Sequence, residues 1–193
     1  MELVAAAEYL HQNRLTHGAT GNISARDGDT FMISPTGKSL DVLEESDFAR
    51  MDFFGNVLSQ AQPSKEYLIH QKIYQARPDI HAIVHTHSTF ATALSCLADI
   101  DLDDAVLPLT AYFSLTFAPV PIVPYYPPGD ERLALGAAQV IERSPVLILR
   151  NHGPVVGAAN LRSAVDKLEE LEHAAQVNLL VRNQAYVTTK AAK

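Results

Sequence analysis

Apolar residues recur along this chain in two rhythms, and the switches between them outline its elements. Leu3, Val4, Ala7, Leu10 and Leu15 are spaced roughly as on one helix face, which predicts a helix within residues 1–15. Strand-like pieces at 23–26 and 30–33 flank the turn Asp27-Gly28-Asp29, so 22–33 reads as a hairpin. Ser34-Pro35-Thr36-Gly37 marks another turn, and segment 51–60, with Asp52, Gly55 and Asn56, suggests short strands and a loop. Helical spacing returns over 64–77 through Tyr67, Leu68, Ile69, Ile73 and Tyr74, with Ser64 placed to cap it and Pro78-Asp79 to stop it. Residues 81–87 then read as a strand, and 88–97 as a helix capped by Ser88. Segments 116–124 and 145–149 predict buried strands, 130–143 and 161–182 helices, and 188–193 a loose tail. With no repeat, linker or low-complexity tract between these pieces, the pattern is one mixed α/β sandwich domain over 1–193.

A length of 193 residues fits one domain with a substantial core better than two. The net charge of −7 excludes a general nucleic-acid binder or a basic membrane-surface protein, but leaves room for a locally positive pocket that takes a small anion. Cys96 is the single cysteine, so no internal disulfide can form, which suits a reducing cytoplasm. Glu2, Glu8 and His11 interrupt the first 15 residues and argue against a signal peptide. Runs such as 145–149 fall far short of the roughly 18 apolar residues of a membrane span. The expectation is a cytoplasmic protein with neither nucleic acid nor membrane as partner.

The sharpest chemical feature is His85-Thr86-His87. Residues two apart on a strand project to one face, so both imidazoles can converge on one ion while Thr86 points away. Alone, such a pair needs no ligand. Two further residues change the balance: His152 follows the strand 146–149 at a strand-to-loop edge, and Glu66 stands in the first turn of the helix leading to the histidine strand. Three imidazoles and a carboxylate suit zinc, with room for a substrate oxygen. A second group supplies small residues, hydroxyls and backbone N–H groups of the kind that cradle phosphate: residues 18–22, residues 34–37, and Ser64-Lys65 at a helix start. The glycine spacing matches neither a P-loop nor a dinucleotide fingerprint.

Taken in order, GATGNIS (18–24), SPTGK (34–38), PSKE (63–66), HAIVHTH (81–87) and NHGPV (151–155) resemble the class II aldolase/adducin family from about residue 16 to about residue 180. THGATGN (16–22), HSTFATALSCL (87–97), VPYYPPGD (123–130), EELEHAAQ (169–176) and the lysine in PSKE are similar to its 3-oxo-tetronate 4-phosphate decarboxylase branch. Sugar-phosphate aldolases of the family commonly carry serine where this chain has Lys65. The resemblance implies a mostly antiparallel central sheet flanked by helices. It implies one divalent metal per subunit on Glu66, His85, His87 and His152, with Glu66 also the catalytic acid/base. It implies phosphate binding by Gly21, Asn22, Thr36, Gly37, Ser64 and Lys65. It further implies a homotetramer with active sites between subunits, and Tyr112 as a proton donor contributed across a subunit boundary. The expected reaction is decarboxylation of 3-oxo-tetronate 4-phosphate to dihydroxyacetone phosphate and CO2 through a metal-stabilised enediolate. Two rivals stand beside it: a sugar-phosphate aldolase or epimerase using the same metal, and a non-enzymatic adducin-like interaction module.

Overall fold

A computed structural model describes residues 2–117 and 119–189. Seven strands form one sheet: β1 (Asn22–Asp27), β2 (Thr30–Ile33), β3 (Ala49–Asp52), β4 (Ala82–His85), β5 (Ile122–Val123), β6 (Val146–Leu149) and β7 (Gly153–Ala158). Their spatial order is β3-β2-β1-β4-β7-β6-β5, and every pairing is antiparallel except β5 with β6. The helices are α1 (Leu3–Gln12), α2 (Tyr67–Ala76), α3 (Thr89–Ser95), α4 (Ala111–Thr116), α5 (Glu131–Ile141) and α6 (Leu161–Val181). The expected α/β sandwich with a mostly antiparallel sheet is therefore present.

Both sheet faces are covered. In β4, Ala82 and Val84 join a core built with α1, α3, α4 and α6, whereas Ile83 joins the core beneath α2 and α5. In β6, Val146 and Ile148 take the first face, Leu147 and Leu149 the second. Period-two alternation thus sends apolar side chains into two cores at once, and the central strands read as unbroken apolar runs. No helix among the described residues is long and apolar enough to cross a membrane.

The structure corrects several boundaries. The helix expected over 64–77 starts at Tyr67, with Glu66 rather than Ser64 at the N-cap. Ser88 does not cap α3 with its side chain. The cap comes from Glu172 of α6, whose carboxylate accepts from the Phe90 and Ala91 amides and the Ser88 hydroxyl at 2.7, 2.9 and 2.7 Å. The strand expected over 116–124 shrinks to Ile122–Val123, since Pro119 and Pro121 lack the donors a ladder requires, and α4 takes up 111–116. Conversely β7 was not expected. It opens on Gly153-Pro154 and contains Gly157, all weak strand formers, but a side chain at Gly157 would sit 2.5 Å from Ile80 Cδ1. Of the tail expected over 188–193, residues 190–193 lie outside the described residues, and Thr189 is tied to the Pro108 carbonyl by its amide and hydroxyl at 2.9 and 2.8 Å.

Candidate metal centre

Three neighbouring strands deliver the site because they run antiparallel. Asn22 at the start of β1 pairs with His85 at the end of β4, and His85 pairs with Val155 near the start of β7. One end of the sheet centre therefore collects the start of β1, the end of β4 and the start of β7. His87 lies two residues past β4, His152 one residue before β7, and Glu66 caps α2 on the adjoining face. Two glycines let these segments approach. A Cβ at Gly21, which has φ +80°, would lie 2.8 Å from the His85 carbonyl, and one at Gly153, which has φ +152°, would lie 2.1 Å from the Thr86 carbonyl. Only glycine permits those backbones to touch.

Glu66, His85, His87 and His152 each present one ligand atom, and all four lie within 4.8 Å of one another. The ring centroids are separated by 5.2 Å (His85–His87), 4.8 Å (His85–His152) and 4.6 Å (His87–His152), the last two pairs being nearly perpendicular. His85 Nε2 lies 3.4 Å from Glu66 Oε2, and His152 Nε2 lies 3.3 Å from Glu66 Oε1. His85 Nε2 and Glu66 Oε1 are nevertheless buried without any hydrogen-bond partner. Polar atoms buried without partners cost about 1–3 kcal/mol each, so such a pair facing two more imidazoles calls for something between them. His85 Nδ1 is 2.8 Å from the Pro154 carbonyl, which can only accept, so the proton sits on Nδ1 and Nε2 offers a lone pair to the cluster. A divalent cation fits this donor set.

The electrostatics agree. Burial pushes His87 down to about 3 and His152 to about 4, reinforced in both by the neighbouring His85, so both rings are neutral at pH 7, as ligands must be. Burial alone would raise the Glu66 carboxyl, but His85, His152 and the Asn22 amide outweigh it and hold the group well below the usual carboxylate range. His85 itself is raised, because its attraction to Glu66 overcomes burial.

Beside the cluster opens a cavity of about 210 Å³. Of the expected phosphate group, Gly21, Asn22, Thr36, Gly37, Ser64 and Lys65 all line it, together with Glu66, His87 and His152. The Asn22 side chain is already engaged, its Nδ2 donating to Glu66 Oε2 at 2.9 Å, so it serves the carboxylate as well as facing the cavity. Tyr112 does not join the site within one chain. It lies 63% exposed on α4, near Ser163, Asp166 and Lys167 of α6. Sequence reasoning also missed Glu172, which holds the segment just after His87, and His70, buried directly behind Asn22. The signal for His70 was its position four residues after Glu66, on the same face of a helix turn.

Residues 1–179 match the pattern of the family described as Class II Aldolase and Adducin N-terminal domain. The 3-oxo-tetronate 4-phosphate decarboxylase of Pectobacterium atrosepticum is 40% identical over 190 residues, 97% of this chain and 87% of that protein. The L-fuculose phosphate aldolase of Methanococcus maripaludis strain S2 is 35% identical over 182 residues, 94% of this chain and 97% of that protein. Among solved structures, YgbL from Klebsiella pneumoniae superposes with a TM-score of 0.94 at 35% identity, covering 98% of this chain and 92% of that one.

Proposed function

This chain belongs to the class II aldolase and adducin family, and from that premise we propose that it is a zinc-dependent lyase that decarboxylates 3-oxo-tetronate 4-phosphate to dihydroxyacetone phosphate and CO2. The observation that carries the reading is the four-residue cluster, with two partnerless ligand atoms, opening onto a cavity that also presents Lys65. Relatives named for this reaction, at 40% and 38% identity, support the choice of substrate.

Glu66, His85, His87 and His152 would hold the cation, and their nitrogen and oxygen donors suit zinc. A divalent cation there supplies a Lewis acid for the charge that develops on the substrate's C3 oxygen. The residues of the chain do the rest. Backbone N–H groups and hydroxyls around Gly21, Thr36, Gly37 and Ser64 hold the phosphate and fix the remote end of the substrate. Lys65 draws the C1 carboxylate to the mouth of the cavity. The C1–C2 bond then breaks, CO2 leaves, and its bonding electrons pass through C2 onto the C3 oxygen as an enediolate. Glu66, which stands ionised at the cluster with one oxygen on Asn22, takes a proton from solvent water and passes it to C2. Tyr112, exposed on α4, is offered to the cavity of a neighbouring subunit in a homotetramer, where it would serve as a second proton donor.

A sugar-phosphate aldolase is the second reading, favoured by the 35% identity to an L-fuculose phosphate aldolase. It reaches the same enediolate by breaking a different carbon–carbon bond, and it has no carboxylate for Lys65 to meet. A non-enzymatic module gives no physical reason to bury Glu66 Oε1 and His85 Nε2 without partners. Purified zinc-loaded protein incubated separately with 3-oxo-tetronate 4-phosphate, L-fuculose 1-phosphate and L-ribulose 5-phosphate decides among them. Release of CO2 with dihydroxyacetone phosphate from the first is the expected result, and turnover of either sugar phosphate in its place overturns the assignment.

A further inference from the structure

From Glu66 and Asn22 a file of buried polar groups runs back to His70, Ser24 and Tyr74, which the reaction does not touch. Glu66 Oε2 accepts from Asn22 Nδ2 at 2.9 Å; Asn22 Oδ1 is 2.5 Å from His70 Nε2; His70 Nδ1 is 2.7 Å from Ser24 Oγ; and Ser24 Oγ is 2.7 Å from the Tyr74 hydroxyl. His70 and Ser24 are fully buried, and Asn22 and Tyr74 are almost so. These groups come from β1 and from one face of α2, at positions 66, 70 and 74, so the helix repeat and the strand repeat together align the file.

The direction of every bond in it follows from its carboxylate end. Ionised Glu66 only accepts, so the side-chain amide of Asn22 must turn its nitrogen toward Glu66 and its oxygen toward His70. His70 Nε2 must then carry a proton. Burial pushes His70 down to about 3, so the ring is neutral and has just one proton to place. Nδ1 is therefore bare and accepts from the Ser24 hydroxyl, which in turn accepts from Tyr74. With Oε2 secured by this file, Oε1 is the glutamate oxygen left without a partner beside the histidines.

We propose that His70 is a positioning residue for the metal centre: its Nε2–H pins the Asn22 side chain in the rotamer that keeps its nitrogen on Glu66 Oε2, which holds the carboxylate with Oε1 facing His152 and Oε2 facing His85. This rests on the metal-site reading above and deepens it, because it assigns a role to a residue that touches neither substrate nor cation. Without the His70 donor, Asn22 Oδ1 is left buried with no partner, so the side chain no longer has a reason to keep its rotamer, and when it leaves, Glu66 Oε2 loses the amide that fixes its carboxylate.

The test compares His70→Leu, which has no donor, with His70→Gln, whose amide can again donate to Asn22 and accept from Ser24. Zinc affinity, measured by competition with a chromophoric chelator, should fall about 10–100-fold in His70→Leu, the usual cost of losing a group that orients a metal ligand, and should largely return in His70→Gln. In an Asn22→Leu background, His70→Leu should produce no further loss. Independently of any metal, the Asn22 side-chain NH2 resonances of the zinc-free protein should exchange slowly with solvent in wild type and His70→Gln and rapidly in His70→Leu. Should His70→Leu fail to fold, Ser24→Ala retains the ring but removes the donor to Nδ1, and it should move both readouts in the same direction. Wild-type zinc affinity and a slowly exchanging Asn22 amide in His70→Leu, or an equal loss with and without Asn22, overturns the proposal. If wild type itself takes up no zinc, the metal-site reading fails, while the zinc-free amide measurement still decides the role of His70.

Discussion

Gly153→Ala places a single methyl group where the histidine-bearing segments meet. Its Cβ would lie 2.1 Å from the Thr86 carbonyl oxygen and 3.1 Å from both Thr86 C and His87 Cα, all of them backbone. Ordinary contact begins near 3.4 Å, and 3.4 less 2.1 requires the start of β7 and the His85–His87 segment to part by about 1.3 Å. A metal site tolerates only about ±0.2 Å in its ligand distances, so His152 and His87 cannot both keep theirs. Alanine is also strained at φ +152°, which costs about 1–3 kcal/mol, and forced overpacking adds about 1–3 kcal/mol more. The expected variant is destabilised by about 2–6 kcal/mol and has lost at least about 10–100-fold in zinc affinity. Urea unfolding of the zinc-free protein and chelator competition measure the two effects. Gly28→Ala is the control: its φ is +58° and a Cβ there meets nothing within 4 Å, so it should lose about 1–2 kcal/mol and no zinc affinity. If Gly153→Ala matches Gly28→Ala in both assays, the close approach of the two segments does not hold the site together.

Three further outcomes are expected. His87→Ala, at the half-open edge of the cluster, should lose its zinc and its turnover while remaining folded; full zinc occupancy by metal analysis refutes its place among the ligands. Lys65→Ser should reduce turnover of 3-oxo-tetronate 4-phosphate more than it reduces zinc binding, and unchanged decarboxylation kinetics remove the reason for giving Lys65 a carboxylate-binding role. The zinc-free protein should lose stability as pH falls from about 6.5 toward 4. His70, His87 and His152 have depressed values in the fold, so the unfolded chain takes up protons there that the fold refuses. His85 is raised and its contribution is already complete below its unfolded value, so it does not reverse the trend. Each depressed histidine adds at most about 1.4 kcal/mol per pH unit, fully buried His70 coming nearest to this and the more open His87 and His152 less, because solvent screens them. A flat urea midpoint across that range contradicts this account.

The amino-acid order alone determined much of this picture. Strand periodicity brought His85 and His87 into one cluster, although the strand expected over 81–87 ends at His85 and His87 stands just beyond it; the strand 146–149 put His152 at an edge, and the turn motifs supplied the cavity walls around Gly21, Thr36 and Ser64. It failed where local preference and tertiary context conflict. β7 was invisible because Gly153, Pro154 and Gly157 are poor strand formers; the Thr86–His87 backbone fills the space a side chain would take at Gly153, and the Ile80 side chain fills it at Gly157. Glu172 replaced Ser88 as the cap of α3 from 81 to 84 residues away along the chain, which no local signal encodes. His70 read as one more polar residue on a helix until β1 brought Asn22 and Ser24 against it. Periodicity reports which side of its own element a residue faces. Which elements meet, and at what distance, is set by strand register and by how closely glycine lets two backbones approach, and the convergence of Glu66 with the three histidines belongs to that second kind of information.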